Sequence, residues 1–225
     1  DYPSIMQKVQ VAIIGAGPAG LTLALLLQQE GISCKIIEFR SRAYVESRVR
    51  AGLLEQNTVD LFKELGAGER MLREGLVHHG VNLSFDGERI RVPFDELTGG
   101  RCITIYGQQE VLKDLIALSL ERNIPITFDA EVTAIQEIDS NNPKVTFQHN
   151  GQQNTIECDF IAGCDGFHGI SKKTLPKNSY KEYQIEYPFS WLGILANVAP
   201  SSDELVYAYH ERGFALHSLR SHKVS

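Results

Sequence analysis

The stretch Val9-Gln-Val-Ala-Ile-Ile-Gly15-Ala-Gly17-Pro-Ala-Gly20-Leu-Thr-Leu-Ala-Leu-Leu-Leu-Gln-Gln29 decides the fold. Val9–Ile14 is a short apolar run of strand type, and it breaks into a glycine turn. Leu21–Gln29 then reads as a helix rich in Ala and Leu, which Gly31 ends. Cys34–Glu38 is a second apolar strand. Strand, turn, helix, strand is the opening unit of a parallel nucleotide-binding sheet. In that unit the three glycines have separate duties. Gly15 permits the tight turn, Gly17 lets backbone N–H groups come close to a pyrophosphate, and Gly20 lets the helix pack on the sheet. The helix start adds partial positive charge. Glu38 stands at the spacing of a carboxylate that accepts from a ribose diol, so the turn is expected to bind the ADP half of FAD or NAD. The motif by itself does not separate the two.

Outward from this unit the pattern changes several times. Asn57–Leu65 and Gln108–Asn123 read as helices. The stretch 81–106 alternates apolar and polar residues, which predicts antiparallel strands inserted into the parallel fold. Ile124–Phe128 reads as a strand, Glu131–Ile138 and Lys144–Gln148 as a hairpin, and Asn154–Gly163 as a further strand entering an Asp165-Gly166 turn. After Pro176, Ser190–Ala196, Glu204–His210 and Phe214–Leu219 are strand-like. The expected class is α/β: an FAD-binding, Rossmann-like parallel sheet over 1–175 with inserted strands, then the start of a β-sheet substrate domain over 176–225. The first five residues read as an extension ahead of a natural start at Met6. The chain ends just after a strand without a closing helix, which reads as truncation.

Composition bounds the function. With 43% hydrophobic and 22% charged residues the chain has ample material for a core. A net charge of −6 gives no support to a nucleic-acid partner. Arg40, Arg42, Arg48 and Arg50 cluster as an anion site or a solvated face. Four cysteines (Cys34, Cys102, Cys158, Cys164) form no C-x-x-C pair, so no metal site is expected, and free thiols in a reducing cytoplasm are. The apolar run Leu23–Leu27 is too short to span a bilayer, and no secretory leader opens the chain.

Several further segments resemble the flavoprotein aromatic hydroxylases, in particular members acting on 4-hydroxybenzoate. They are Arg48-Val-Arg-Ala-Gly-Leu-Leu-Glu-Gln56, Tyr106-Gly-Gln108, Ile161-Ala-Gly-Cys-Asp-Gly-Phe-His-Gly-Ile-Ser171, Tyr187-Pro-Phe-Ser-Trp-Leu-Gly193 and Arg212-Gly-Phe-Ala-Leu-His-Ser-Leu-Arg220, with the glycine turn before them. The resemblance runs from about Lys8 to Arg220 and covers roughly the first half or more of the family's usual length.

The resemblance implies an enzyme that uses FAD, NADPH (or NADH) and O2 to convert 4-hydroxybenzoate to 3,4-dihydroxybenzoate. Gly15, Gly17, Gly20 and Glu38 would hold the ADP half of FAD. Arg48 and Gln108 would contact its pyrophosphate and ribityl region, with Asp165 and Gly166 also at the cofactor. Arg42, Arg50, His168 and Lys172 match positions for NAD(P)H. Tyr207, Ser218 and Arg220 match the substrate pocket: Arg220 for the carboxylate, Ser218 assisting, Tyr207 for the phenol oxygen. His78 matches the outer end of a proton chain that reaches solvent through that tyrosine. The full-length family implies a homodimer.

Departures are also legible. Lys172 stands where the family commonly has Arg, and a lysine cannot fork onto a phosphate. Phe39, Arg40 and Arg42 fall in the stretch that tunes NADPH against NADH. No Gly-Asp-Ala-Ala-His type segment is present, so these 225 residues are not expected to turn over. Rival readings are a hydroxylase of another phenolic substrate, a non-catalytic dinucleotide-binding module and an NAD dehydrogenase.

Overall fold

The computed structural model describes residues 6–225, so the reading of the first five residues lies outside the described ones. In chain order the elements begin with β1 (Gln7–Ile14), α1 (Pro18–Gln29), β2 (Cys34–Ile37), α2 (Arg42–Ser47), β3 (Leu53–Glu55), α3 (Gln56–Leu65) and α4 (Glu69–Glu74). There follow β4 (Leu76–His78), β5 (Gly80–Phe85), β6 (Glu88–Pro93), α5 (Phe94–Thr98), β7 (Ile103–Ile105), α6 (Gln108–Glu121) and β8 (Ile126–Thr127). The last are β9 (Ala130–Gln136), β10 (Lys144–His149), β11 (Gln152–Gly163), α7 (Ile170–Thr174), β12 (Val206–His210) and β13 (Gly213–His217).

The chain divides into two compact units. Among the described residues, the first takes 6–48 and 109–184, the second 49–108 and 185–225. The expectation of one continuous domain to residue 175 followed by another is therefore replaced by two discontinuous units. The cause is one pairing. β12 runs parallel to β5, with Val206 opposite Asn82 and Tyr207 opposite Leu83, and this joins stretches more than a hundred residues apart. The strands over 81–106 are inserted in the chain between β2 and β8 of the parallel sheet, and they pair in separate sheets that belong to the second unit.

The first unit is built on a six-stranded sheet in the order β8-β2-β1-β11-β10-β9. β1 pairs in parallel with β2 and β11, and β2 with β8. β9 and β10 close it as an antiparallel hairpin. Its parallel strands are near-continuous apolar runs because helices cover that part of the sheet. Ala12, Ile13, Ile14, Ile36 and Ile37 are all buried, with Leu21, Ala24 and Leu25 of α1. Each leucine of that size contributes about 2 kcal/mol by leaving water. α1 starts at Pro18, earlier than expected from its apolar run, because proline at the first helical turn forfeits no helix hydrogen bond.

The second unit holds a four-stranded sheet, β13-β12-β5-β6, and a three-stranded one, β3-β7-β4. Val81, Ile105 and Leu205 form its packed centre, with Phe94 and Tyr207 half-buried against them. The strand expected over Ser190–Ala196 does not form: the segment is irregular, with Trp191, Leu192 and Ile194 exposed. Its β-type composition finds no strand to pair with along its length, and strand propensity without a pairing edge does not make a strand.

Candidate functional site

In the first unit the glycine turn separates two kinds of constraint. A Cβ on Gly20 would coincide with the carbonyl oxygen of Gly15, and one on Gly15 would strike the carbonyl of Cys164. Gly15 also lies at φ +106, where side-chain-bearing residues are strained. Both glycines are thus required by the protein's own packing. Gly17 is different. Its φ of −78 suits any residue, and a Cβ there would meet no protein atom within 4 Å. The space it leaves is open, at the start of a twelve-residue helix whose first N–H groups lack intrahelical partners.

Glu38 lies at the end of β2 beside this turn. One carboxylate oxygen accepts from the Ala16 N–H at 2.7 Å, and the other from the Arg40 N–H at 2.7 Å. The carboxylate is held in one orientation, and each oxygen retains a lone pair for a further donor. An open helix start beside an oriented carboxylate fits a pyrophosphate joined to a ribose diol.

Asp165 behaves otherwise than as a free acceptor. One of its oxygens accepts from the Ser171 N–H at 2.9 Å, and its carboxylate fills the space above Gly169. It braces the turn that opens α7, with Gly166 at φ +72. His168 stands edge-on to the Phe167 ring at 5.0 Å, and the Lys172 ammonium lies 5.2 Å from the same ring. Lys172 is also ion-paired with Glu182. Arg42 is paired with Glu46 at 2.8 Å, and Arg48 stacks on Tyr44 at 5.6 Å. The structure thus gathers His168 and Lys172 around Phe167, while Arg42 and Arg48 belong to α2 and its cap.

Among the second unit's residues, Arg50 and Gln108 flank the segment that carries β3, α3 and β7, and the Gln108 N–H donates to the Ala51 carbonyl at 3.0 Å. Tyr207 sits on β12 opposite Leu216, its ring 6.2 Å from Phe214. Ser218 and Arg220 follow the end of β13. The Ser218 hydroxyl makes only a 3.5 Å contact with the Leu219 carbonyl. The Arg220 guanidinium rests on Gly52, in the volume a Cβ there would take. It has no carboxylate partner among the described residues. Gly52 is a site residue that sequence reading passed over. Its signal was present, a glycine in the Arg48–Gln56 motif, but its partner is 168 positions away.

The two adjacent histidines have opposite surroundings. His79 is exposed and faces Asp95. His78, expected at the solvent end of a proton chain, is 1% exposed, and neither ring nitrogen has a hydrogen-bond partner among the described residues. It lies inside because it is on β4, paired with β7. Burial pushes its pKa below the ordinary 6.5, against the opposing pull of Glu204 and Asp203. Glu204 takes a two-pronged hydrogen bond from Arg91, at 2.8 and 2.9 Å, which holds its carboxyl below the usual range. The sign follows for stability. A histidine with a lowered folded pKa leaves the unfolded state binding more protons, so stability falls as pH drops through and below 6.5. Glu204 adds a loss at lower pH, where its carboxylate takes up a proton. We expect the urea midpoint to fall between pH 7.5 and pH 5.5. In His78→Leu, which abandons no hydrogen bond, that slope should flatten; an unchanged slope would show that another group is responsible.

The parallel sheet, open helix start and ribose-type carboxylate define the first unit as a dinucleotide-binding α/β module. A family model described as FAD binding domain matches residues 8–225, and the chain belongs to that family. Among curated proteins it is 47% identical over 214 residues to p-hydroxybenzoate hydroxylase of Acinetobacter baylyi, covering 95% of this chain and 53% of that one. It is 25% identical to 3-amino-4-hydroxybenzoate 2-monooxygenase of Streptomyces cremeus, covering 87% of this chain and 48% of that protein. The chain thus spans about half the length of these relatives. Among solved structures, PqsL of P. aeruginosa superposes with a TM-score of 0.73 at 17% identity, over 89% of this chain and 54% of that one, which bears on the fold alone. No helix among the described residues is long and apolar enough to cross a membrane.

Proposed function

We propose that this chain is the FAD-binding and substrate-sheet part of a flavoprotein monooxygenase that hydroxylates 4-hydroxybenzoate to 3,4-dihydroxybenzoate. The observation that carries the substrate reading is the Arg220 guanidinium, laid on the Gly52 backbone with no carboxylate partner among the described residues. A cation so placed is poised for a small anionic ligand, and a guanidinium matches a carboxylate two-pronged. The similarity to a p-hydroxybenzoate hydroxylase supports the same ligand.

The residue roles follow from the chemistry. Gly17 leaves room for the pyrophosphate of FAD, and Glu38 accepts from the adenosine ribose. Bound FAD supplies hydride acceptance from NADPH or NADH and the activation of O2. Arg48, Gln108, Asp165 and Gly166 are assigned to FAD, and Arg42, Arg50, His168 and Lys172 to the nicotinamide cofactor, on the sequence resemblance. Arg220 with Ser218 orients the ring through its carboxylate. Tyr207 then accepts a hydrogen bond from the 4-hydroxyl and eases its ionisation, because a phenolate ring is the better nucleophile toward an electrophilic oxygen. His78, buried here, is assigned to the proton chain on the sequence resemblance alone. The partners are a small aromatic substrate and O2, the place of action the cytoplasm, and the full-length assembly a homodimer.

The test uses the protein extended to the length of its relatives. Tyr207→Phe should bind 4-hydroxybenzoate within a few-fold of wild type but form product about a hundredfold more slowly, in line with the worth of one positioned proton acceptor. Flavin absorbance and product chromatography are read together. Wild-type product formation removes the role of Tyr207, and absence of flavin from the purified protein removes the whole reading.

A further inference from the structure

The two edges of β11 are used unequally. The strand runs for twelve residues, Gln152–Gly163, and β1 follows it from Ile156 to Gly163. On the other edge β10 pairs only as far as Glu157, opposite Lys144. Pro143 stands there, and its carbonyl accepts from the Cys158 N–H at 3.0 Å. From Asp159 to Gly163 no strand lies along that edge among the described residues. Backbone groups on a strand edge need partners, and an apolar edge without charges is a template for another strand. Phe160-Ile-Ala-Gly163 carries no charge.

The cover on one face of β11 stops at the same point. Side chains two positions apart share a face. Ile156 and Cys158 are buried in the core of this unit, yet Phe160 is 72% exposed. Beside it lies a hollow of about 560 Å³, lined by Ile135, Ile138, Pro143, Phe160, Ile161 and Leu175. α7 walls one side closely, since a Cβ on Gly163 would lie 2.5 Å from the Ser171 Cβ. The Ser171 hydroxyl borders the same hollow, buried and without a hydrogen-bond partner among the described residues. A buried hydroxyl left unpaired is costly, so the hollow lacks a polar group as well as apolar filling.

The sheet order states what belongs there. β8-β2-β1-β11 is the 3-2-1-4 order of a doubly wound sheet, in which a fifth strand stands beside the fourth. The chain covers 53% of p-hydroxybenzoate hydroxylase of Acinetobacter baylyi, so a relative of full length has about as much chain again to supply it. We propose that the free edge of β11, from Asp159 to Gly163, is the docking site for a strand from that remaining half of the protein. The incoming strand pairs with the edge, covers Phe160, fills the hollow with apolar side chains and gives Ser171 a partner. A five-residue edge offers few pairs to hold a second copy, whereas a tethered strand binds at high effective concentration.

The test is hydrogen exchange, read by peptide mass, in the protein extended to the length of its relatives and in the 225-residue chain. In the extended protein all the amides of 159–163 should be as protected as those of 152–157. An open edge leaves about half of them exchanging at least about a hundredfold faster, which is the result expected for the 225-residue chain. Phe160→Glu should lower the urea midpoint of the extended protein by about 1 M and leave that of the 225-residue chain unmoved. Fast amides at 159–163 in the extended protein overturn the proposal, even where Phe160→Glu destabilises it, because Phe160 is then covered by something other than a strand. Sedimentation of the 225-residue chain as a dimer that Phe160→Glu dissociates overturns it too, and gives the edge to a second copy. Neither readout involves flavin or 4-hydroxybenzoate, so the outcome is independent of the substrate reading.

Discussion

Gly20→Ala should lower the stability of the first unit by on the order of 3 kcal/mol, whereas Gly17→Ala should leave it within about 0.5 kcal/mol and weaken FAD binding instead. The two substitutions are chemically identical and three positions apart, so their difference isolates the role of each glycine. At Gly20 the added methyl would overlap the Gly15 carbonyl. Neither side can yield cheaply. The Gly15 N–H is tied to the Ile37 carbonyl at 2.8 Å, and the Cys164 N–H to the Ile14 carbonyl at 2.8 Å. Relief would require α1 to lift from β1 and expose Leu21 and Leu25, both fully buried. With a urea slope of about 2 kcal/mol/M, the midpoint should drop by more than about 1 M.

At Gly17 the methyl meets no protein atom, and the backbone is already in a conformation alanine adopts. What it enters is the open space at the helix start. A pyrophosphate approaching those N–H groups would be pushed outward, so the dissociation constant for FAD should rise at least about tenfold. Fluorescence titration of FAD, with chemical denaturation in parallel, separates the effects. FAD affinity unchanged in Gly17→Ala would mean that the open space is not the phosphate site.

The second large effect belongs to Arg220. Arg220→Met, in the protein extended to its relatives' length, should weaken 4-hydroxybenzoate binding by two to three orders of magnitude, from about 3–4 kcal/mol lost with a two-pronged charged pair. Folding should change little, because the guanidinium surrenders no ion pair within the described residues. A neutral analogue, 4-hydroxybenzamide, serves as the internal control: its affinity should change far less. Equal losses for the acid and the amide would point to a packing role for Arg220 on Gly52. Gly52→Ala is expected to imitate the loss for the acid, since its methyl takes the guanidinium's place.

How much of this was legible in the residues varies with distance along the chain. The β1–α1–β2 unit, the duties of Gly15, Gly17 and Gly20, and the position of Glu38 were readable because each depends on neighbours within about thirty positions, where strand and helix periods and turn chemistry act. The irregular course of 190–196 was not, because strand propensity says nothing about whether a pairing edge exists. Nor was the fate of two adjacent histidines, which alternate between the inside and outside of a sheet whose partners the residues do not name.

By itself, then, the sequence determined the dinucleotide-binding unit, the family and the residue types of the candidate site. Tertiary structure alone decided that 49–108 joins 185–225, through the parallel pairing of β5 with β12. It also decided that Arg220 rests on Gly52, and that His78 is buried while His79 is exposed beside Asp95. The physical reason is common to all of these. Local conformation is governed by short-range sterics and hydrogen bonds written into adjacent residues. Contacts between distant positions are chosen by the joint burial of apolar surface, to which no single segment holds the key.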